Sequence, residues 1–310
     1  MKASVIVRSR DEAPRLRLVL ASLSRQSPPA EIVVVDDGSS DATAQVIAAA
    51  AGEMAIQVVS HDYPRGRAAA ANAGAAAAGG DVLIFLDGDT LAGPEMVAGH
   101  LATHARSASA IGRGETWHLR CTRPFSDPAA GIPFPDQATR VAAMSPDERA
   151  RATITPDQVL AYFGDIATRG SPGVYPGAAP RRLHALEVAA LRERPDSALL
   201  WAAASGSNFS VRREAFRAAG GFDPALDINE HRELALRLCA AGGRMMAAEG
   251  ARTYHMIHRS GWRDPLAEGG WEQAFRRAHP AAPLDRLKAF WRSLSDADAT
   301  DLWGEGADGG

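Results

Sequence analysis

Cysteine is nearly missing from this 310-residue chain: Cys121 and Cys239 stand far apart, without the spacing of a metal site. That argues against a disulfide framework and points to a reducing, cytoplasmic setting. A dominant charge sign is missing too. The formal net charge of −3 supplies no pull toward phosphate backbones, so no nucleic-acid partner is expected. Long apolar runs are also lacking. No window reaches the ~18 apolar residues of a membrane span, and the opening "MKASVIV" meets Arg8, Arg10 and Asp11 too soon for a secretory core. The expectation is a soluble protein, with peripheral membrane contact left open. There is no internal repeat.

What is present is a 46% hydrophobic composition, enough for one large core or two modest ones. Along the first part, two periods alternate. "ASVIVRS", "EIVVVDD", "AIQVVSH" and "DVLIFLD" read as buried strands. Between them "APRLRLVLASLSRQ", "SDATAQVIAAAAG" and "GRAAAANAGAAAAGG" read as helices, the second with Ser40 or Asp41 as N-cap and Gly52 as stop. Strand, helix, strand with short joints is the pattern of a parallel sheet covered on both faces, whose ligands sit beyond the carboxyl ends of the strands. Asp36, Asp37, Asp87 and Asp89 all fall at such ends.

From about Gly112 to Leu200 the alternation stops and proline, glycine and arginine become frequent, although "SPDERARATITPDQVLAYFGDI" and "RRLHALEVAALRER" look helical. Regular structure returns with "LLWAAASGSNFSVRREAFRAAGGFD", read as a strand-like run, a turn and a short helix. "INEHRELALRLCAAGGRMMAAEGARTYH" then reads as a helix, a Gly-Gly stop and a strand ending near His255. The tail 295–310 is acidic and glycine-rich and is expected to be disordered.

"DVLIFLDGDT" ends an apolar strand in two acids separated by one glycine. Like charges so close need a counter-ion. A hard cation, Mg²⁺ or Mn²⁺, bound by Asp87 and Asp89 and shared with a substrate's phosphates is one answer. An Asp-Gly turn with Asp89 as a cap is the other. "VVVDDGSSD" divides the same way, between a carboxylate on a ribose or base and a capped strand-to-helix turn.

These segments, followed in order by "SGSNFSVRREAFRAAGGFD" and "NEHRELALRLCAAGGRMMAAEGARTYH", closely resemble family 2 glycosyltransferases of GT-A fold, over Ala3 to about Ala105 and Ala202 to about His258. The resemblance implies an α/β, Rossmann-like, mostly parallel sheet flanked by helices, with an irregular or helical insertion. It implies one domain over 1–294: a nucleotide-sugar-binding half (1–111), an insertion forming an acceptor-side subdomain (112–200), and an acceptor and catalytic half (201–294). The implied activity is inverting transfer of a sugar from a nucleotide diphosphate sugar, UDP-linked by family tendency, assisted by Mn²⁺ or Mg²⁺. The acceptor is unspecified: a glycan, lipid carrier, peptide or small molecule.

By the same resemblance Arg8, Ser9, Asp11 and Glu12 would line the nucleotide pocket, and Asp37 or Asp36 would contact uracil or ribose. Arg67 and Asn72 would approach the nucleotide and the metal rim. Asp87, Gly88 and Asp89 would form the Asp-X-Asp motif, Asp89 being the more direct ligand, with His255 completing the metal site and His258 in reserve. Ser207 and Asn208 would face sugar hydroxyls. Where the family carries Glu-Asp, this chain has Glu230-His231. Glu230 is the preferred general base and His231 the close second, with Glu233 or an acceptor needing little help, such as a thiol, as further options. Arg259 and Arg263 are weaker candidates on the leaving group. Trp117, Trp201, Trp262 and Trp271 would either stack on sugar or pack in the core. Two rival functions share some of these features: a sugar-phosphate nucleotidyltransferase, whose glycine-rich loop "VRSRDEAPRL" lacks, and a non-catalytic nucleotide-sugar-binding relative.

Overall fold

A computed structural model describes residues 1–173, 183–258, 265–294 and 302–304. The first half forms as its two periods predict: β1 (Ala3–Ser9), α1 (Ala13–Leu23), β2 (Glu31–Asp37), α2 (Thr43–Ala51), β3 (Ile56–His61), α3 (Arg67–Ala77) and β4 (Val82–Asp87). β1 pairs in parallel with β2 and β4, and β2 with β3. Val5, Val7, Val34 and Ile84 pack to one side with the leucines of α1, whereas Ile6, Val33, Val35 and Phe85 pack to the other with the alanines of α3. Burial on both faces is why these strands read as unbroken apolar runs. The small residues of α3 let it approach closely: a Cβ on Gly74 would lie 2.5 Å from Ile6 Cγ2.

β5 (Thr90–Ala92), α4 (Met96–Arg106) and β6 (Ala110–Leu119) come next. A hairpin of β7 (Phe125–Asp127) and β8 (Ile132–Pro133) is followed by four short helices, α5 (Ala138–Ala142), α6 (Pro146–Ala152), α7 (Pro156–Ala161) and α8 (Phe163–Ala167). Capping boxes at Ser145/Glu148 and Thr155/Gln158 start α6 and α7. β9 (Ser171–Pro172) and α9 (Leu183–Glu193) end this stretch. The chain closes with β10 (Phe209–Arg212), α10 (Arg213–Ala218), α11 (Glu230–Ala240), β11 (Arg244–Met256), α12 (Gly270–Ala278) and α13 (Leu284–Ser293).

Among the described residues the main sheet has the order β3-β2-β1-β4-β10-β6-β11-β5, with β9 added beside β6. β10 is antiparallel to both β4 and β6, and β11 is parallel to β6 but antiparallel to β5. β1, β2, β3, β4, β6 and β11 therefore share one direction, and the sheet is mostly parallel.

Three expectations need correction. The boundary at Gly112 falls inside β6, a strand paired with β10 and β11, so the irregular stretch begins after Leu119. The strand-like run "LLWAAA" is a 3₁₀ turn over Leu200–Ala203; its apolar side chains are buried because the turn packs on α12, with Trp201 5.9 Å from Phe275 between ring centroids. Within the tail expected to be disordered, Leu302 and Trp303 are buried. Trp303 meets the Phe290 ring edge-on at 4.9 Å and donates to the Leu199 carbonyl. Apart from Gly304, the rest of that tail lies outside the described residues.

Candidate active site

The register of β1 against β4 sets Arg8 beside Asp87. Arg8 Nη2 and Nε donate to Asp87 Oδ1 at 2.6 and 3.1 Å, Nη2 also donates to the Gly206 carbonyl, and Nη1 reaches Glu230 Oε1 at 3.4 Å. Burial alone would lower the guanidinium pKa, but Asp87 and Glu230 outweigh it and raise it. Asp87 thus finds its counter-charge within the chain.

Asp89 finds different partners. The pairing of β5 with β11 sets His255 opposite Thr90. His255 Nδ1 lies 3.2 Å from Asp89 Oδ1, and His258 Nε2 lies 2.9 Å from Oδ2. One ligand atom from each of Asp89, His255 and His258 falls within 4.8 Å of the others. Glu12 Oε1 stands 3.5 Å behind His258. Burial would raise the Asp89 pKa, but the two imidazoles hold it well below the usual carboxylate range. His255 is raised despite burial, chiefly by Asp89. Burial raises Glu12.

A cleft of about 230 Å³ joins these groups, lined by Arg8, Arg67, Asp87, Ser207, Glu230, His231 and His255 among others. Ser207 Oγ accepts from the Asp87 backbone N–H. Gly88 has to be glycine for the turn to close, since a Cβ there would lie 2.8 Å from Ser9 Oγ. Ser9 Oγ is buried and, among the described residues, has no hydrogen-bond partner, an open polar atom beside the Asp-Gly-Asp turn. Glu230 is 2% exposed. Burial would raise its pKa, but His231 and Arg8 hold it at about 2.

Several expected contacts have other work. Asp37 Oδ1 meets His61 Nδ1 at 2.6 Å and accepts from the Arg65 backbone N–H, and Oδ2 accepts from the Gly66 backbone N–H. Among the described residues Asp36 accepts only from Ser39 N–H, so of the two acids Asp36 is the freer. Asp11, at φ 53°, ties β1 to the next rim loop by accepting from Ser40 N–H and Oγ–H. Asn72 spends both ends of its amide on the Phe222 backbone, 2.8 and 2.9 Å away, which removes it from the rim. Asn208 is fully buried: its Nδ2 donates toward Glu115 O, Ala251 O and Thr253 Oγ1, and its Oδ1 meets His100 Nε2. Neither asparagine is open to a sugar. Glu233 is held by Arg237 and His279. Trp201 and Trp271 are core residues, and Trp117 lies under Arg252, 4.1 Å from its ring centroid. Arg259, Trp262 and Arg263 lie outside the described residues.

The strand-end acids, the arginine against them and the histidines at and just past the end of β11 are the features by which the chain can be compared with known proteins. Residues 4–113 match the family model described as glycosyl transferase family 2. The first third of the chain is thus similar to glycosyl transferase family 2. An uncharacterized glycosyltransferase of Bacillus subtilis is 33% identical over 119 residues, 38% of this chain and 30% of that protein. Validoxylamine A glucosyltransferase of Streptomyces hygroscopicus subsp. jinggangensis is 38% identical over 111 residues, 34% of this chain and 26% of that one. The chain thus spans under a third of either relative. In fold it is similar to Staphylococcus aureus TarS 1–349 in complex with UDP-GlcNAc: TM-score 0.60, 16% identity, 95% of this chain and 72% of that one. It is also similar to a mannosyltransferase from Pyrobaculum calidifontis in complex with GDP-Man and Mn²⁺: TM-score 0.55, 17% identity, 97% and 66% covered. The fold is GT-A.

Beyond the family 2 motifs, the cleft uses residues that sequence reasoning passed over: His118, His184, Glu187 and Arg232. Glu187 accepts from Arg113 at 2.5 Å and from Arg232 at 2.7 Å. The one available signal was a helix, "RRLHALEVAALRER", with an acid among its apolar positions. His118 stacks edge-on between His184 and His255, at 5.7 and 5.5 Å. Burial pushes its pKa down to about 3, with His255 adding to the effect.

Proposed function

We propose that the chain is an inverting glycosyltransferase that takes a sugar from a nucleotide diphosphate sugar, UDP-linked as the favoured donor, to a hydroxyl-bearing or thiol-bearing acceptor. The observation that carries this reading is the convergence of Asp89, His255 and His258 at the carboxyl edge of a GT-A sheet, one turn from the Arg8–Asp87 pair. One carboxylate and two imidazoles suit Mn²⁺ better than Mg²⁺, which prefers oxygen ligands alone. A cation held there would offset negative charge on the departing diphosphate. Arg8, with Asp87 and Glu230 on either side, fixes the orientation of both acids. In this reading Ser9 Oγ and Asp36 would contact the ribose or base.

Glu230 is the general base in this reading, its Oε1 tied to Arg8 and its Oε2 3.6 Å from His231 Nδ1. The acceptor oxygen attacks the anomeric carbon and its proton passes to Glu230. The bond from that carbon to the diphosphate oxygen breaks, the electron pair leaves with the nucleoside diphosphate, and configuration inverts. Glu230's low pKa makes it a weak base, which also keeps a non-catalytic binding role in view. Slow UDP release from a UDP-sugar without acceptor separates the two.

Thermal-shift measurement against UDP, GDP, dTDP and CMP, each with and without Mn²⁺, tests the donor and the metal together. UDP with Mn²⁺ is expected to raise Tm most, by linkage, and Asp89→Ala to abolish the manganese-dependent part. An unchanged shift in that variant would remove Asp89 from the site.

A further inference from the structure

Arg232, in the first turn of α11, is fixed on every side. Nε donates to the Ala202 carbonyl at 2.8 Å, Nη1 to Asn229 Oδ1 at 2.8 Å and Nη2 to Glu187 Oε1 at 2.7 Å. Its guanidinium also lies 5.1 Å from the Trp291 ring centroid. Nη1 meets His231 Nε2 at 2.9 Å. An arginine donates and never accepts, so Nε2 must be the unprotonated nitrogen. Burial lowers the His231 pKa by more than Glu230 raises it, and the proton of the neutral ring then sits on Nδ1. That Nδ1 is buried and, among the described residues, without a hydrogen-bond partner. It stands 3.6 Å from Glu230 Oε2, just beyond a hydrogen bond.

Glu187 is what holds the arginine. It reaches in from α9 and is 1% exposed. Its second oxygen accepts from Arg113 on β6 at 2.5 Å. With both oxygens engaged by guanidinium groups, Glu187 is no base. Without it, Arg232 would keep a buried charge with no carboxylate opposite, and its fork would be free to turn away from His231.

We propose that Glu187 is a positioning residue which, through Arg232, holds His231 as the Nδ1–H tautomer, making His231 a hydrogen-bond donor toward Glu230 and the acceptor oxygen instead of the general base. Its catalytic consequence rests on the glycosyl-transfer reading; the tautomer does not. The stretch between the two family-like segments thereby gains a part in the chemistry. The Glu-His sequence also gains a reason: histidine supplies a donor beside a single retained acid.

The full-length protein labelled with ¹⁵N-histidine, free of metal and nucleotide at neutral pH, reports the tautomer through two-bond proton–nitrogen correlations. His231→Asn identifies the His231 signal among the nine histidines. The expected spectrum has Nδ1 protonated and Nε2 bare, and Glu187→Gln moves it toward a mixture. In parallel, release of UDP or GDP from UDP-glucose, UDP-GlcNAc and GDP-mannose with Mn²⁺ is followed. Asparagine can keep a donor near Nδ1, so His231→Asn is expected to retain the rate within about tenfold, short of the ~10²–10⁴ lost with a general base. Glu187→Gln is expected to lower kcat with KM for the sugar nucleotide little changed. A wild-type His231 protonated on Nε2 or on both nitrogens overturns the proposal, and needs no variant to fold. So does a Glu187→Gln protein with tautomer and kcat unaltered, or a His231→Asn rate down by the full general-base factor. The expected spectra with no sugar nucleotide consumed would support the tautomer relay and sink the glycosyl-transfer reading alone.

Discussion

Arg8 is the residue on which the two acids of the cleft depend. Its guanidinium lies between Asp87 and Glu230, and its removal would leave two carboxylates facing one another, one of them almost wholly buried. Arg8→Met is therefore expected to cost about 3 kcal/mol in urea unfolding near neutral pH, the lower end for breaking a buried pair, since Asp87 is partly open to water. A loss below about 1 kcal/mol would mean that the pair behaves like a surface one. The same arginine makes a second prediction about the metal. Because Asp87 is engaged by Arg8 while Asp89 faces two imidazoles, Asp87→Asn should weaken Mn²⁺ binding in the presence of UDP far less than Asp89→Asn, as read from the free-Mn²⁺ signal in electron paramagnetic resonance. Equal weakening would put both acids on the ion. The placing of Asp87 and Asp89 at one strand end was legible in the sequence, because strand ends announce themselves by an apolar run stopping at acids; His255 was legible only through the family resemblance. Asn72 and Asn208 were misleading for the opposite reason. An amide that clamps a backbone turn and one that reads a ligand are the same residue in the same motif, and only the partners, Phe222 and Ala251, tell them apart.

At the scale of elements, α4 carries an unusual feature on its inner face. His100 and His104 are both fully buried, with Nε2 atoms on Asn208 Oδ1 and Ser210 Oγ, so α4 is fastened to β10 and its approach by neutral imidazoles. Burial lowers His100 to about 4 and His104 to about 3, the latter helped by His100 and Arg212. Unfolded, both would take up a proton below pH ~6.5. Between there and pH ~4 the unfolded state binds more protons than the folded one, so stability is full above that window and falls as pH drops through it. Two such groups contribute up to about 2.7 kcal/mol per pH unit. His104→Gln, which can keep the contact to Ser210, should reduce that slope by about half of the two-histidine contribution when unfolding free energy is measured against pH. An identical slope would show that His104 is already charged in the fold. β6 shows why one element boundary was hidden. "AIGRGETWHL" does not read as a central strand, since Arg113 and Glu115 interrupt it. Arg113 is tolerated there because Glu187, 74 positions later, neutralises it, and no local pattern encodes a partner that distant.

For the whole molecule, the sheet and its two apolar layers followed from periodicity, because burial on both faces leaves a signature in every strand. What periodicity could not give was the closure of the second layer. There the turn Leu200–Ala203, α12, α13 and the segment around Trp303 join one cluster with Phe85, Phe209 and Leu234, although they come from four separate places late in the chain. The composition around Trp303 is acidic and glycine-rich, which ordinarily leaves too little apolar surface to offset ordering a chain. Here two residues supply it: Leu302 and Trp303, 2% and 6% exposed. Trp303 caps Phe290 and satisfies its indole N–H on Leu199, so it acts as a bolt between α13 and the turn that leads into the cleft. Trp303→Ala should therefore cost about 3 kcal/mol, the low end for a buried tryptophan. Nucleotide and Mn²⁺ binding should be unaffected, since the partners that dock it, Phe290 and Leu199, are not among Asp89, His255 and His258. Chemical unfolding and thermal shift with UDP and Mn²⁺, run on the same variant, separate the two effects. Unchanged stability would mean that Trp303 does not dock against α13, and the second layer would then end at Leu294.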